Sequence, residues 1–497
     1  MLVEVIVSLY VLYYVVSHFL NKSKLPKGPT PLPFIGNIPH LVYEAWKENG
    51  IVNAMKSLKK QYGSMYTLWF GPVPTIHIVD YELAKDQMIK HGSKYTLRYA
   101  PKVQMAVREG LGIILNDGQV WVDHRRFALQ TLRNFGLGRN IMEERIMEEF
   151  DRKVNALKST TSKDEIVLKP GVFYDLLVGN IINQLLFAER FADDSDEFWT
   201  LKKLMDDAFE GTTFLDLILP HWLMTSPFFK WRYDRLQLPT IKMKDWIYEK
   251  VIARMAAVEN GTQVLNDNAE DFTNAYLYKM QQEKDSGIES SFDLDNLVMD
   301  LVDLWTAGQE TTSTTLTWGT ALLLNRPEYI DKIYKEVLAV TKGTRHLSLT
   351  DKADTPILNA TLNEVQRIAS IVSFNLFRRT EDGQSIGGFK VPADVPITAQ
   401  IAVIMADDTT FPDYEKFEPE RFLEDEKKAL NVVPFGMGKR ACLGESLARA
   451  ELYLILGNLL LNFDIKPHGV VQEARGLNEA GFLNRPPKIE CKFVFRR

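Results

Sequence analysis

The sequence predicts a mainly α-helical protein with a small β portion, organised as one large domain behind a single N-terminal transmembrane helix. Three observations predict this. Stretches with helical hydrophobic period dominate the 497 residues, strand-like alternation is confined to short pieces, and the first twenty residues are apolar at bilayer length. The helical patterns cover 47–61, 119–134, 141–159, 172–190, 240–257, 292–324, 327–341, 359–370 and 443–461. Strand-like pieces occur at 65–69, 75–79 and 396–404. The polar stretch 258–291 reads as a loop or short helices. With no repeat or linker beyond about residue 40, one domain is expected over 40–497.

The N-terminal stretch MLVEVIVSLYVLYYVVSHFL is apolar except for Glu4, Ser8, Ser17 and His18. A helix from Leu2 to Leu20 would rise roughly 28 Å, close to the thickness of a bilayer's hydrocarbon core. An acid near the start and the lack of a small-residue cleavage site favour an uncleaved anchor over 1–21. Lys22, Lys24 and Lys27 follow without an intervening acid, which places the body on the cytosolic side. Under that topology the Asn-x-Ser/Thr matches at Asn21, Asn260 and Asn359 are chance. Pro26, Pro29, Pro31 and Pro33 then make 22–39 a stiff hinge. A second apolar, aromatic and basic stretch, 217–233, has two readings, a bilayer-interface surface and ordinary core packing.

Composition excludes several classes. A net charge of −6 gives no reason to expect nucleic acid. Cys442 and Cys491 are the only cysteines, too few for a disulfide framework, a four-cysteine iron–sulfur cluster or an all-cysteine zinc site. Yet Cys442 sits in FGMGKRACLGE, residues 435–445, where Gly436, Gly438 and Gly444 allow a tight backbone. The run after it is helical and becomes apolar on nearly all sides from Leu452, so it belongs in a core. A cysteine at the N-terminus of a buried helix is placed to be a thiolate. With no second cysteine nearby it calls for a metal, and a haem iron held by one thiolate satisfies that.

Phe435-x-x-Gly438-x-Arg440-x-Cys442-x-Gly444 resembles the haem-binding loop of the cytochrome P450 superfamily, and the likeness extends along nearly the whole chain. It is greatest to the microsomal branch that oxidises small lipophilic molecules. The resemblance implies the family's helical fold, a haem b cofactor and Cys442 as the metal ligand. Other segments carry it too. Ala307-Gly308-Gln309-Glu310-Thr311-Thr312, inside the longest helical pattern, resembles the family's oxygen-handling motif, which implies proton-relay roles for Glu310 and Thr311. By themselves Ala307 and Gly308 remove bulk where a flat cofactor approaches. Glu364-x-x-Arg367 alone is only a helical ion pair. The resemblance joins it to Arg421 as a buried network bracing the cysteine loop. Trp121, Arg125 and Arg440, with Arg98 and Arg378, are implied at the haem propionates, anions that bidentate guanidiniums suit.

This sequence departs from the family in IASIVSFNLF, which lacks prolines around 373 and 377, in Trp305 and in VPADV. These bear on the pocket's shape. Family recognition segments place its walls at 99–118, 204–216, 301–311, 371–376 and 479–483, with Met105, Phe209, Phe214, Leu304, Phe374 and Phe482. No flavin or nicotinamide motif appears, so the resemblance implies electrons from a separate NADPH–haemoprotein reductase, with cytochrome b5 as a second partner. Arg126, Arg133 and Lys439 would form the docking face. The expected function is oxygen insertion into a lipophilic substrate at the endoplasmic reticulum membrane, in contact with its lipid. A reductant-independent isomerase and a non-catalytic haem or lipid binder are the rivals.

Overall fold

In the computed structural model, residues 25–100, 102–136, 140–160, 164–211, 216, 221–372, 375–474 and 483–496 are described. The main helices are α1 Ile38–Lys47, α2 Ile51–Tyr62, α3 Lys102–Arg108, α4 Gly118–Asn134, α5 Asn140–Thr160, α6 Pro170–Phe187 and α7 Asp196–Gly211. They continue with α8 Lys230–Glu259, α9 Phe272–Asp285, α10 Leu294–Asn325, α11 Glu328–Thr341, α12 Pro356–Ala369 and α13 Glu445–Asn462. The strands are β1 Met65–Phe70, β2 Val73–Ile78, β3 Leu97–Arg98, β4 Glu165–Leu168, β5 Arg378–Arg379, β6 Gln384–Ile386, β7 Phe389–Val391, β8 Ile397–Ala399, β9 Phe463–Pro467 and β10 Cys491–Phe495.

Helix α10 is the axle of the structure. Asp293 caps it by accepting from the Asn296 amide at 2.8 Å, and it stops just before Pro327, which cannot donate to a continuing helix. Its side chains are buried nearly all round, as a helix threaded through a core requires. It packs most extensively on α6. Gly308 explains how: a Cβ there would lie 2.5 Å from Ile182 Cδ1 of α6. The small residue expected to admit a flat cofactor thus serves helix–helix approach. Ala307 and Gly308 both also line the cavity described below.

The larger sheet has the order β1-β2-β8-β5-β3, with β2 and β8 parallel and the other pairs antiparallel. A second sheet runs β4-β10-β9, and β6 and β7 form a hairpin. The proline-rich segment is strapped along β1, which fixes its direction relative to the body. Thr67 Oγ1 donates to the Pro26 carbonyl at 2.8 Å, and the Trp69 amide donates to Asn37 Oδ1 at 2.8 Å. Gly36, at φ +63°, is needed because a Cβ would lie 2.1 Å from the Trp69 carbonyl oxygen.

Several expected boundaries move. The pattern at 47–61 is split, because Asn49 and Gly50 take φ of 53° and 144° and restart the helix at Ile51. The strand expected over 396–404 ends at Ala399, and Ile401–Ile404 form a helical turn. A short apolar run buried on all sides does not distinguish the two by period. Helix α8 begins at Lys230 and runs through Pro239, although proline removes a helical donor. Of the two readings of 258–291, a loop or short helices, the structure has helix α9 at Phe272–Asp285. The expected span 1–21 lies outside the described residues; among those described, no helix is long and apolar enough to cross a membrane.

Asn37 is 1 % exposed and uses both side-chain functions, Nδ2 donating to the Pro29 carbonyl at 3.1 Å. Asn37→Ala is expected to cost about 2 kcal/mol, read as a lowered Tm in thermal unfolding. An unchanged Tm would show that the strap contributes nothing to the fold.

Candidate active site

One cavity of about 500 Å³ runs between α10 and the loop before α13. Cys442 lines it and is exposed to it. The loop's geometry follows from its glycines: Gly436 and Gly438 take φ of 73° and 75°, and a Cβ on Gly438 would lie 1.6 Å from the Met88 carbonyl oxygen. The Cys442 amide donates to the Phe435 carbonyl at 2.9 Å, closing the loop. The expected helix N-terminus is present, and the Gly444 amide bonds the sulfur. Burial nevertheless outweighs that bond and the nearby Arg125, and holds the thiol above its ordinary value. A cation bonded to the sulfur would offset that burial and favour the thiolate. Cys491 is buried in β10 and does not line the cavity.

The expected arginines converge. Arg98, Arg125, Arg378 and Arg440 line the cavity with Trp121 and Phe435. Each is pinned by oxygen or sulfur acceptors. Arg125 Nη2 donates to the Ala441 carbonyl at 2.6 Å, and Arg378 Nη2 to that of Met437 at 2.6 Å. Arg98 Nε donates to the Ile114 carbonyl at 3.1 Å. Arg440 Nε bonds the Thr96 carbonyl at 2.6 Å, its Nη2 is 2.9 Å from Asp117 Oδ1, and its guanidinium lies 3.8 Å above the Trp121 ring. Burial pushes Arg378 down to about 10 and Arg440 down to about 9. Arg98 is driven well below its usual range by burial and by Arg440 and Arg378. Buried, Arg440 Nη1 and Trp121 Nε1 have no partner within the protein. Crowded cations and orphaned donors around one slot call for anionic groups.

Opposite them, Thr311 lines the cavity, its Oγ1 donating to the Ala307 carbonyl one turn back at 2.7 Å. Glu310 does not line it. Its carboxylate is fully buried between Lys202, with Nζ 3.2 Å from Oε2, and Arg485, which bonds Oε1. Asp206 and Asp175 share those cations, and burial pushes Asp175 up to about 6. The two neighbouring residues therefore face different surroundings.

Glu364, Arg367 and Arg421 form a network. Arg367 Nε and Nη2 bond the two Glu364 oxygens at 2.7 and 2.9 Å, and Arg421 Nε adds a third bond at 3.1 Å. All three are buried. Arg367 also donates to the carbonyls of Met405 and Tyr414, so α12 is tied to the chain leading into the cysteine loop.

Of the expected apolar walls, Phe209 and Leu304 line the cavity and Met105 does not; Phe214, Phe374 and Phe482 lie outside the described residues. The sequence reading missed Glu451, which lines the cavity at 1 % exposure beside Thr312. Burial pushes its carboxyl up to about 8, against a hydrogen bond from Thr312. An acid opening the apolar run ELYLILG was the available signal. It also missed Arg108 and Asp303, an ion pair in the wall.

A family model described as Cytochrome P450 matches residues 26–493. The chain belongs to the cytochrome P450 family. A probable cytochrome P450, cyp-35D1 of Caenorhabditis elegans, is 36% identical over 90% of each chain. Cytochrome P450 2C3 of Oryctolagus cuniculus is 33% identical, and cytochrome P450 2C8 of Homo sapiens 31% identical, each over 95% of both chains. This P450 is accordingly a monooxygenase, and its cofactor is haem held by a cysteine thiolate. The site fits that cofactor: two propionates would occupy the arginine cluster's orphaned donors, and iron would supply the cation the buried sulfur needs.

Removing one partner of a buried ion network costs about 3–5 kcal/mol. Glu364→Ala is expected to lose haem incorporation as well as turnover, measured as haem per polypeptide; normal haem content with an unchanged Tm contradicts it. Gly438→Ala should lose haem for a different reason, collision with Met88. Glu451 gives a pH signature. Its folded value, about 8, exceeds its ordinary 4.5, so its contribution is full below about pH 4.5 and lost as pH rises towards 8. Glu451→Gln should flatten that slope in unfolding curves, and an unaltered slope would refute the assignment.

Proposed function

We propose that this P450 inserts one oxygen atom of O2 into a small lipophilic molecule, with Cys442 as the residue that would hold the haem iron and electrons delivered from NADPH by a separate reductase. The observation that carries the reading is a single cavity lined by Cys442 below, Thr311 above and mostly apolar side chains beyond. When bound, haem supplies oxygen activation.

The chain's own residues then have separable tasks. Cys442 donates electron density from a loop whose backbone fixes the sulfur. Arg98, Trp121, Arg125, Arg378 and Arg440 would hold the propionates, and Phe435, which lines the same cavity, would adjoin the cofactor. Thr311 Oγ accepts or donates a proton at the cavity surface. Glu310 stores a negative charge between Lys202 and Arg485, and passing a proton from its carboxyl requires loosening one of those pairs. Ile113, Leu304 and Phe209 exclude water and hold an apolar substrate. Glu364, Arg367 and Arg421 keep the cysteine loop in register.

The partner and membrane follow the same reading. Arg126, Arg133 and Lys439 are exposed near the cysteine side, suited to an acidic face of a reductase or cytochrome b5. Trp46 is 76 % exposed and Phe228 83 %, side chains that favour lipid contact at the endoplasmic reticulum membrane beside the expected anchor over 1–21. The 22–39 hinge and the 40–497 catalytic domain would then face the cytosol.

Reconstitution with reductase, NADPH and a panel of lipophiles is the test. Oxygenated product that depends on NADPH supports the reading, whereas product formed without reductant would replace it with isomerisation. Cys442→Ser should abolish the thiolate-shifted absorption band of the reduced carbon-monoxide form. Thr311→Ala should lower coupled turnover by about 10²-fold while leaving that band intact.

A further inference from the structure

Helix α4 carries a second buried charge besides its arginine. His124 follows Trp121 by one helical turn, precedes Arg125 directly and is 2 % exposed. Its Nδ1 lies 2.6 Å from Asp300 Oδ2, and its Nε2 lies 3.1 Å from the Ser291 carbonyl oxygen. With Asp300 ionised both neighbouring oxygens only accept, and a ring that makes both bonds then carries both protons as an imidazolium. The ring stacks on Phe292 with centroids 4.6 Å apart and meets Tyr276 edge-on at 5.8 Å.

The neighbouring acid ties down the cavity wall. Asp303, one turn further along α10, takes the Ile114 amide at 2.8 Å and the Arg108 guanidinium. One stretch of α10 thus holds both the helix bearing Trp121 and Arg125 and the cavity wall at Ile114.

We infer that His124 is a positioning residue, whose imidazolium pair with Asp300 sets α4 so that Trp121 and Arg125 meet the haem edge. The inference rests on the propionate role proposed above for those two residues. The groups around the ring are Asp293, Asp300 and Asp303 of the α10 region, and Tyr276, Lys279 and Glu283 of α9. Burial pulls the imidazole down, but Asp300, the Ser291 carbonyl and Asp293 overcome it and hold it above its ordinary value. Burial also raises the Asp300 carboxyl, so the clamp holds above the Asp300 value and is lost as pH rises through the raised His124 value.

The test is haem transfer from the holoenzyme to excess apomyoglobin, followed by absorbance from about pH 6 to about pH 9. Transfer from the wild type should accelerate about tenfold as His124 loses its proton. His124→Asn and Asp300→Asn should transfer haem rapidly and without that rise, and the double variant should lose no more than either single one. A His124→Asn protein that follows the wild-type profile, or single effects that simply add, would overturn the inference. Arg125→Ala separates it from its premise. Fast transfer with the pH rise retained supports both, and transfer at the wild-type rate removes the propionate reading and the route by which His124 acts. Should the variants not fold, hydrogen exchange at the His124 ring carbon of the wild type reports its titration directly. A value at or below that of an ordinary histidine overturns the inference.

Discussion

The architecture depends on holding one soft anion and several hard cations at a single buried point. Cys442 and the guanidiniums of Arg98, Arg125, Arg378 and Arg440 line the same slot. Burial disfavours every one of them as a charge. Backbone carbonyls satisfy most of the guanidinium donors, and under the proposed reading iron and the carboxylates of the cofactor would complete the neutralisation. Folding and cofactor binding would then be coupled, since the groups proposed to recognise haem are destabilising without it.

A second layer of charge keeps that point rigid. Asp117, just before α4, accepts from the Arg98 amide, Arg440 and Arg379, joining β3, β5 and the cysteine loop. The Glu364 network performs the same service for the chain leading into the loop. On the opposite side, the three buried acids of α10 each meet a cationic side chain from another element: Asp300 takes His124, Asp303 takes Arg108, and Glu310 takes Lys202 and Arg485. One helix therefore distributes buried negative charge along its length, and each pairing fixes a different wall of the site.

The cysteine loop was legible because its requirements are local. Gly438 has no room for a Cβ and Gly436 takes a left-handed conformation, so the spacing around Cys442 is written in the chain itself. The long helices were legible for the same reason, through period and length. Glu310 and Thr311 show the limit. Adjacent helical residues point about 100° apart, and only the packing of α7 and the Arg485 segment decides that one faces the cavity and the other a cluster of cations. Gly308 was read for its size, yet the neighbour that needs its small size is Ile182.

The sequence by itself determined the mainly helical class, the family and the candidate thiol, because hydrophobic period and loop glycines act over a few residues. Tertiary structure decided which charges meet. His124 with Asp300, Glu310 with Lys202, and Arg440 with Asp117 are pairs from distant parts of the chain. Their energies depend on burial and on distances of a few ångströms, which exist only after the helices have packed.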